Sequence, residues 1–247
     1  MSRRFGDKGV VITGAGRGIG AALAKAFAAE GARVFLCARG EEEVRQVADG
    51  IIAEGGRAGW TTLDISEPDG ARALSLLATS ELPRVDILIN NAGVLGPKAP
   101  LLEVSPGQWR DTMRINADGP FLVSRSFLPH MMQFGSGLIM NVSSGVGRKG
   151  RKNWGPYSVS KFAVEGLTQV LADELGGTGL AAVAVNPGAT RTTMRASAEP
   201  EEDPMTLPSA EVIAEAFLRI AAKEPAEING QSIDCRSVIA DLWQPKR

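Results

Sequence analysis

Tyr157 and Lys161 stand four residues apart in Tyr157-Ser158-Val159-Ser160-Lys161. On an α-helix that spacing puts the two side chains on one face, a turn apart. A phenol is a weak acid, with an unperturbed pKa of about 10, and a neighbouring ammonium favours its phenolate. A tyrosine tuned this way gives a proton to a substrate oxygen or takes one from it. The spacing therefore predicts an acid–base pair in which Tyr157 titrates below its ordinary value. The run that follows carries apolar residues at Phe162, Val164, Leu167, Val170, Leu171 and Leu175. That pattern predicts a largely buried helix with the pair in its first turn. The plainer alternative is a Tyr and a Lys that merely share a helix surface, and the rest of the chain decides between the two.

A second pattern, Thr13-Gly14-Ala15-Gly16-Arg17-Gly18-Ile19-Gly20, lies between an apolar stretch at residues 8–13 and an Ala-rich run that reads as a helix to about residue 30. Strand, glycine-rich turn and helix form the setting in which backbone N–H groups and a helix N-terminus receive phosphate. The spacing is G-x-x-x-G-x-G, which departs from the general G-x-G-x-x-G dinucleotide fingerprint.

The elements that must position these residues alternate along the chain. Strands are predicted at 32–38, 57–63, 85–89, 138–142 and 180–185, with a last, short strand at 228–234. Helices are predicted at 41–54, 67–80 and 209–223, and a long helical stretch runs over 107–134, interrupted near Asp118-Gly119-Pro120. Residues 189–208 read as a mobile, polar substrate loop. The alternation predicts right-handed βαβ units and one α/β domain over 1–247, a doubly wound parallel sheet of about seven strands. Ligands bind at the carboxyl ends of such strands, where the glycine loop, Arg39, Asp64 and Asn90-Asn91-Ala92-Gly93 all fall.

Composition narrows the function classes. With 27 basic and 28 acidic residues, the chain has no global charge suited to nucleic acid or a membrane surface. No apolar run approaches a membrane span. Cys37 and Cys235 form no metal or redox motif and suit free thiols in a reducing compartment. With no signal pattern at the N-terminus, the expectation is a cytoplasmic protein. His130, the one histidine, lies on the long helix away from every motif and reads as structural, so no metal site is predicted.

Taken together, Thr13-Gly14-x-x-x-Gly18-x-Gly20, Asn90-Asn91-Ala92-Gly93, Asn116, Ser144, Tyr157-x-x-x-Lys161 and Pro187-Gly188-x-x-x-Thr192 resemble the short-chain dehydrogenase/reductase family. Several motifs in the right order are far more specific than any one alone. The resemblance implies that Tyr157 is the general acid in carbonyl reduction and the base in the reverse direction, and that Lys161 lowers its pKa and holds the nicotinamide ribose. It makes Ser144 the donor to the substrate oxygen, with Ser143 as the competing candidate, and has Asn116 hold a water that links Lys161 to solvent. The implied cofactor contacts are Gly14, Gly18, Ile19 and Gly20 in the glycine loop, Asp64 and Ile65 by the adenine, and Asn91, Ala92 and Gly93 beyond them. Asn90 is implied to line the adenine-ribose side as well. For Asp64, capping of the following helix is the alternative. Pro187, Gly188, Thr190 and Thr192 would position the nicotinamide.

The same resemblance carries the cofactor reading. Ala38 stands where NAD users of the family commonly place Asp, and Arg39 and Arg17 converge on the expected 2′-phosphate with no carboxylate between, which predicts NADP(H). A narrower likeness, in Gly147-Arg148-x-Gly150-Arg151-x-Asn153-Trp154-Gly155-x-Tyr157 and in 187–196, is to a bacterial subgroup of oxidoreductases. The C-terminus departs from the family, with Asp234-Cys235-Arg236 where many members have Asp-Gly-Gly, a segment that often packs the tetramer. A homo-oligomer, tetramer or dimer, is the expectation.

The expected activity is an NADP(H)-dependent carbonyl reductase or alcohol dehydrogenase acting on a small molecule. The alternative is a non-catalytic nucleotide-sensing regulator that kept the fold. Nucleotide-sugar epimerases would have a longer chain and another glycine spacing, and enoyl reductases a wider Tyr–Lys separation. Arg148, Lys149, Arg151, Lys152, Arg191 and Arg195 cluster in two loops and raise an anionic substrate as a further expectation, against a solvated basic surface.

Overall fold

A computed structural model describes residues 3–244. Seven parallel strands form one sheet in the order β3-β2-β1-β4-β5-β6-β7. They are β1 (Gly9–Thr13), β2 (Arg33–Ala38), β3 (Arg57–Thr62), β4 (Ile87–Asn90), β5 (Gly137–Val142), β6 (Leu180–Asn186) and β7 (Ser232–Asp234). The central strands are apolar on both faces, as a sheet covered by helices on each side requires. Val10 and Ile12 of β1 point into a layer with α1 (Gly18–Ala29), α2 (Glu41–Ala53) and α8 (Ala210–Ala221). Val11 points into the opposite layer, with α3 (Pro68–Glu81), α5 (Gly119–Gln133) and α6 (Gly155–Glu174). The period of two along the strand thus fills both cores. Both thiols are buried.

The sheet order reverses between β1 and β4, a topological switch point that opens a crevice at the carboxyl ends of the strands. A cleft of about 600 Å³ lies there, lined from the glycine loop to α6.

Three elements differ from the sequence expectation. The stretch 107–134 is a continuous helical rod, α4 (Pro106–Met113) into α5, opened by a capping box between Ser105 and Gln108. Its irregularity precedes Gly119 and Pro120: a five-residue π-helix, Arg114–Asp118, carries Asn116. Residues 189–208 are not structureless, since α7 (Thr193–Ala198) and a 3₁₀ turn (Pro204–Thr206) occupy much of the segment. The last strand is only Ser232–Asp234, between the short helices α9 (Pro225–Ile228) and α10 (Cys235–Val238).

Candidate active site

The glycine loop is stitched to the turn after β4. The buried Thr13 hydroxyl accepts from the backbone N–H of Asn91 and Ala92, each at 3.1 Å. Asn91 Nδ2 donates back to the carbonyls of Thr13 (2.9 Å) and Gly14 (3.1 Å). A Cβ on Gly20 would lie 2.2 Å from the Gly14 carbonyl oxygen, so only glycine lets α1 start this close to β1. Arg17 at the α1 N-cap has no side-chain cap bond, which leaves the first N–H groups of the helix facing the cleft.

Asn90 corrects one expectation. It is buried and turned away from the cleft, donating to Ser124 Oγ (3.0 Å) and Asn141 Oδ1 (2.8 Å). Asn141 continues the chain to Thr168 at 2.9 Å, so these residues tie β4 and β5 to α5 and α6. Asn90 is a packing residue, while Asn91, Ala92 and Gly93 line the cleft.

At the β1–β2 end, Arg17 and Arg39 both line the cleft and are exposed, and among the described residues neither makes an ion pair. The sequence reading missed Glu43, which shares this rim; a Cβ on Gly40 would fall 1.6 Å from its Oε2. The expectation of no carboxylate at this end is thereby corrected, because the first turn of α2 brings Glu43 back over Gly40. Asp64 accepts from Ser66 N (3.0 Å) and Ser66 Oγ (2.5 Å), with Arg114 at 3.3 Å. The Ser66 hydroxyl and then the Arg114 guanidinium hold its carboxyl below the usual range. It caps no helix, since the N-cap of α3 is Glu67. Ile65 beside it is buried.

At the β5–β6 end, the cleft is lined by Ser144, Tyr157 and Lys161 together. Ser144 caps a 3₁₀ turn, Gly145–Gly147, accepting from Val146 N at 3.4 Å. Lys161 is buried, and its Nζ donates to the Val142 carbonyl at 2.7 Å while lying 5.7 Å from the Tyr157 ring centroid. Burial pushes the Lys161 ammonium down to about 8, against a raising effect of Glu165. In the protein without cofactor, burial pushes the Tyr157 phenol up from its ordinary value, and a hydrogen bond with Ser144 offsets only part of that; the lowering expected from Lys161 together with an oxidised nicotinamide belongs to the cofactor complex.

Ser143 is excluded as the substrate donor, because its hydroxyl donates to the buried Glu165 at 2.5 Å. Glu165 also accepts from Ser232 Oγ at 3.0 Å, which joins α6 to β5 and β7. Asn116 is buried in the π-helix, and its side chain is fully engaged. Its Oδ1 accepts from Val94 N (2.8 Å), and its Nδ2 donates to the Val94 carbonyl (2.8 Å) and to Ser160 Oγ (3.1 Å). The side-chain amide is spent on fixing the turn after β4 against α6, with Gly93 filling the space between it and Lys161.

Pro187, Gly188, Thr190 and Thr192 line the same end. Thr192 caps α7, accepting from Arg195 N at 3.2 Å, and its methyl would lie 3.5 Å from a Cβ on Gly18. Three of the six loop cations are paired with carboxylates, and Arg151 and Arg195 among them line the cleft. Arg148 pairs with Asp234, Arg151 with Glu199 (3.2 Å), and Arg195 makes a two-pronged bond to Glu202 at 2.6 and 2.7 Å. Lys98 pairs with Glu199 at 3.1 Å, and both Lys98 and Arg151 sit over the ring of Trp154, which packs edge-on against Tyr157. His130 lies in the last turn of α5 against Phe134, away from the cleft. Among the described residues no group of metal-ligating side chains occurs, and no helix is long and apolar enough to cross a membrane.

The cleft therefore offers phosphate-binding N–H groups and two guanidiniums at one end and a hydroxyl–phenol–ammonium set at the other. Comparisons with known proteins agree with that layout. The family described as short chain dehydrogenase matches residues 8–203. An oxidoreductase of Escherichia coli, YciK, is 39% identical over 233 residues, covering 93% of this chain and 92% of its own. A cis-4-hydroxycyclohexanecarboxylate dehydrogenase of Sinomonas cyclohexanicum is 37% identical over 78% of each chain. A short chain dehydrogenase of Shigella flexneri, solved with NADP, superposes with a TM-score of 0.91 at 38% identity, covering 96% of this chain and all 100% of that one. One from Escherichia coli CFT073, solved with NADPH, gives 0.91 at 38% identity, covering 96% of this chain and 99% of the other.

Proposed function

The chain belongs to the short-chain dehydrogenase family, and from that premise we propose that it moves a hydride between NADP(H) and a carbonyl or secondary alcohol, with Tyr157 as general acid and base. The observation that carries this is the meeting of Ser144, Tyr157 and Lys161 in the cleft whose other end is the glycine loop. NADP(H) fits the residues present: uncapped N–H groups of α1, glycines that leave room for a backbone–phosphate approach, and Arg17 with Arg39 for the 2′-phosphate. The solved relatives named with NADP and NADPH support the same assignment.

When bound, the cofactor supplies the hydride to the carbonyl carbon. The protein supplies the rest. The Tyr157 hydroxyl gives its proton to the carbonyl oxygen, and Ser144 holds that oxygen by a hydrogen bond. The Lys161 ammonium stabilises the phenolate that remains. Asn116 is a positioning residue, holding Val94 and Ser160 so that the cleft wall and the start of α6 keep their places. Gly14, Gly18, Ile19, Gly20, Asp64, Ile65, Asn91, Ala92, Gly93, Pro187, Gly188, Thr190 and Thr192 form the rest of the cofactor surface. The molecule works as a homo-oligomer on this reading, supported by the apolar residues that α5 and α6 leave exposed.

The test is NADPH oxidation against a panel of ketones, aldehydes, diketones, quinones and β-ketoacyl thioesters. Turnover on the panel is expected, and Tyr157→Phe should abolish it while the NADPH Kd stays within about twofold, since the loss is confined to proton transfer. In the same assay, Arg39→Asp should swing the ratio of kcat/KM from NADPH towards NADH. NADPH binding without turnover on any substrate would favour the nucleotide-sensing alternative instead.

A further inference from the structure

The C-terminal segment packs behind the turn that follows β6. β7 ends at Asp234, beside the end of β6, and Arg236 follows in α10. Arg236 Nη2 donates to the Ala189 carbonyl at 3.0 Å. Its guanidinium centre lies 5.0 Å from the ring centroid of Trp243, a cation–π contact. Its Nε would be 3.1 Å from a Cβ on Gly188, whose φ of +70° is the left-handed region that favours glycine. One hydrogen bond thus ties the guanidinium to the turn, Trp243 covers it from outside, and the space a Cβ on Gly188 would take is left to it. Asp234, two residues earlier, holds the other end of that turn: it accepts from Asn186 Nδ2 at 2.5 Å and pairs with Arg148, while Asn186 Oδ1 accepts from Gly188 N at 2.9 Å.

This turn lines the cleft at Gly188, Ala189 and Thr190, but Arg236 does not reach the cleft itself. It follows β6, on the opposite side of the switch point from Arg17 and Arg39. A dinucleotide whose 2′-phosphate sits by Arg39 must place its nicotinamide on this side. The turn lies beyond the end of β6, and its carbonyls are held by side chains: Gly188 accepts from Thr190 Oγ1 (3.2 Å), Thr190 from Thr192 Oγ1 (3.4 Å) and Ala189 from Arg236, so these side chains set the shape offered to the nicotinamide.

We propose that Arg236 is a positioning residue for the nicotinamide half of the cofactor, acting through the Gly188–Ala189 turn and held in place by Trp243. The inference rests on the NADP(H) reading above. It deepens that reading by making a C-terminal residue, distant in sequence from every motif, part of cofactor recognition.

The test compares two probes on the full-length protein by calorimetry. NADPH engages both ends of the cleft, whereas adenosine 2′,5′-bisphosphate engages only the Arg17–Arg39 end. Arg236→Ala should weaken NADPH about five- to tenfold, the loss of one charge-assisted hydrogen bond acting indirectly. It should leave the bisphosphate affinity and the melting temperature unchanged. Arg236→Lys should keep part of the NADPH affinity, and Trp243→Leu should show a smaller loss confined to NADPH. Equal weakening of both probes would show a general structural role and overturn the proposal, as would an unchanged NADPH affinity. A wild type that binds neither probe would remove the cofactor reading and this inference with it.

Discussion

Burial moves the two partners of the proposed acid–base pair in opposite directions, Tyr157 upward and Lys161 down to about 8. The spacing of the pair was legible in the sequence, but the sign of the tyrosine shift was not. In the protein without cofactor it depends on how much water the folded cleft removes, which spacing does not contain. What favours Ser144 over Ser143 is likewise side-chain direction, which hands Ser143 to Glu165. Glu165 itself was invisible, because its partner Ser232 arrives from a strand 67 residues away. Reduction needs a neutral phenol and a charged ammonium, and both persist in the free enzyme below about 8. The kcat/KM for ketone reduction should therefore fall on the alkaline side with an apparent pKa near 8, measured across pH 6–10. Stability follows the other sign. An unfolded lysine keeps its proton to about 10.4, so between the folded and unfolded values the unfolded state binds more protons and stability rises with pH. Lys161→Met should abolish turnover yet raise the melting temperature at pH 7 by several degrees, about 1–3 kcal/mol, through removal of a buried charge.

Among the elements, strand and helix alternation was readable to within a residue or two because apolar periodicity reports it directly. The π-helix at Arg114–Asp118 was not, since one wider turn changes no residue's polarity, and α7 is only six residues long. Three loops that frame the substrate end meet at Glu199, which Lys98 and Arg151 approach from two of them. The same two cations lie over Trp154, and Trp154 packs on Tyr157. The ion pairs between these loops are thus connected to the phenol through one indole ring. Glu199→Gln should raise KM for a panel ketone about two- to fivefold, in line with loss of two exposed ion pairs, without changing the NADPH Kd. Raising NaCl to about 0.5 M should shrink the difference from wild type, because screening weakens the same pairs. A KM that does not move would show that the ion pairs play no part in substrate binding.

For the whole molecule, the parallel sheet and its switch point were legible as a pattern, and what remained hidden was how sequence-distant residues converge on one crevice. Asp234 and Arg236 came into the site only once β7 was seen to pair beside β6. Oligomerisation is the property of the whole surface. Phe121 on α5 and Val159, Phe162 and Val170 on α6 are each between 40% and 54% exposed, apolar surface that contact with a second copy would take out of water. Light scattering should give a dimer or tetramer, and Phe162→Glu should shift it towards smaller species; a wild-type monomer would end that expectation. The two thiols bear on another question. Cys37 and Cys235 are buried within 1% of full enclosure, and burial pushes Cys37 up to about 12 and Cys235 higher still. Neither offers thiolate at neutral pH, so neither is a target for peroxide or alkylating reagents. A cysteine introduced at the exposed Glu201 would be the one site that a maleimide dye finds, which makes the native chain a ready background for placing a single fluorophore on the segment 189–208.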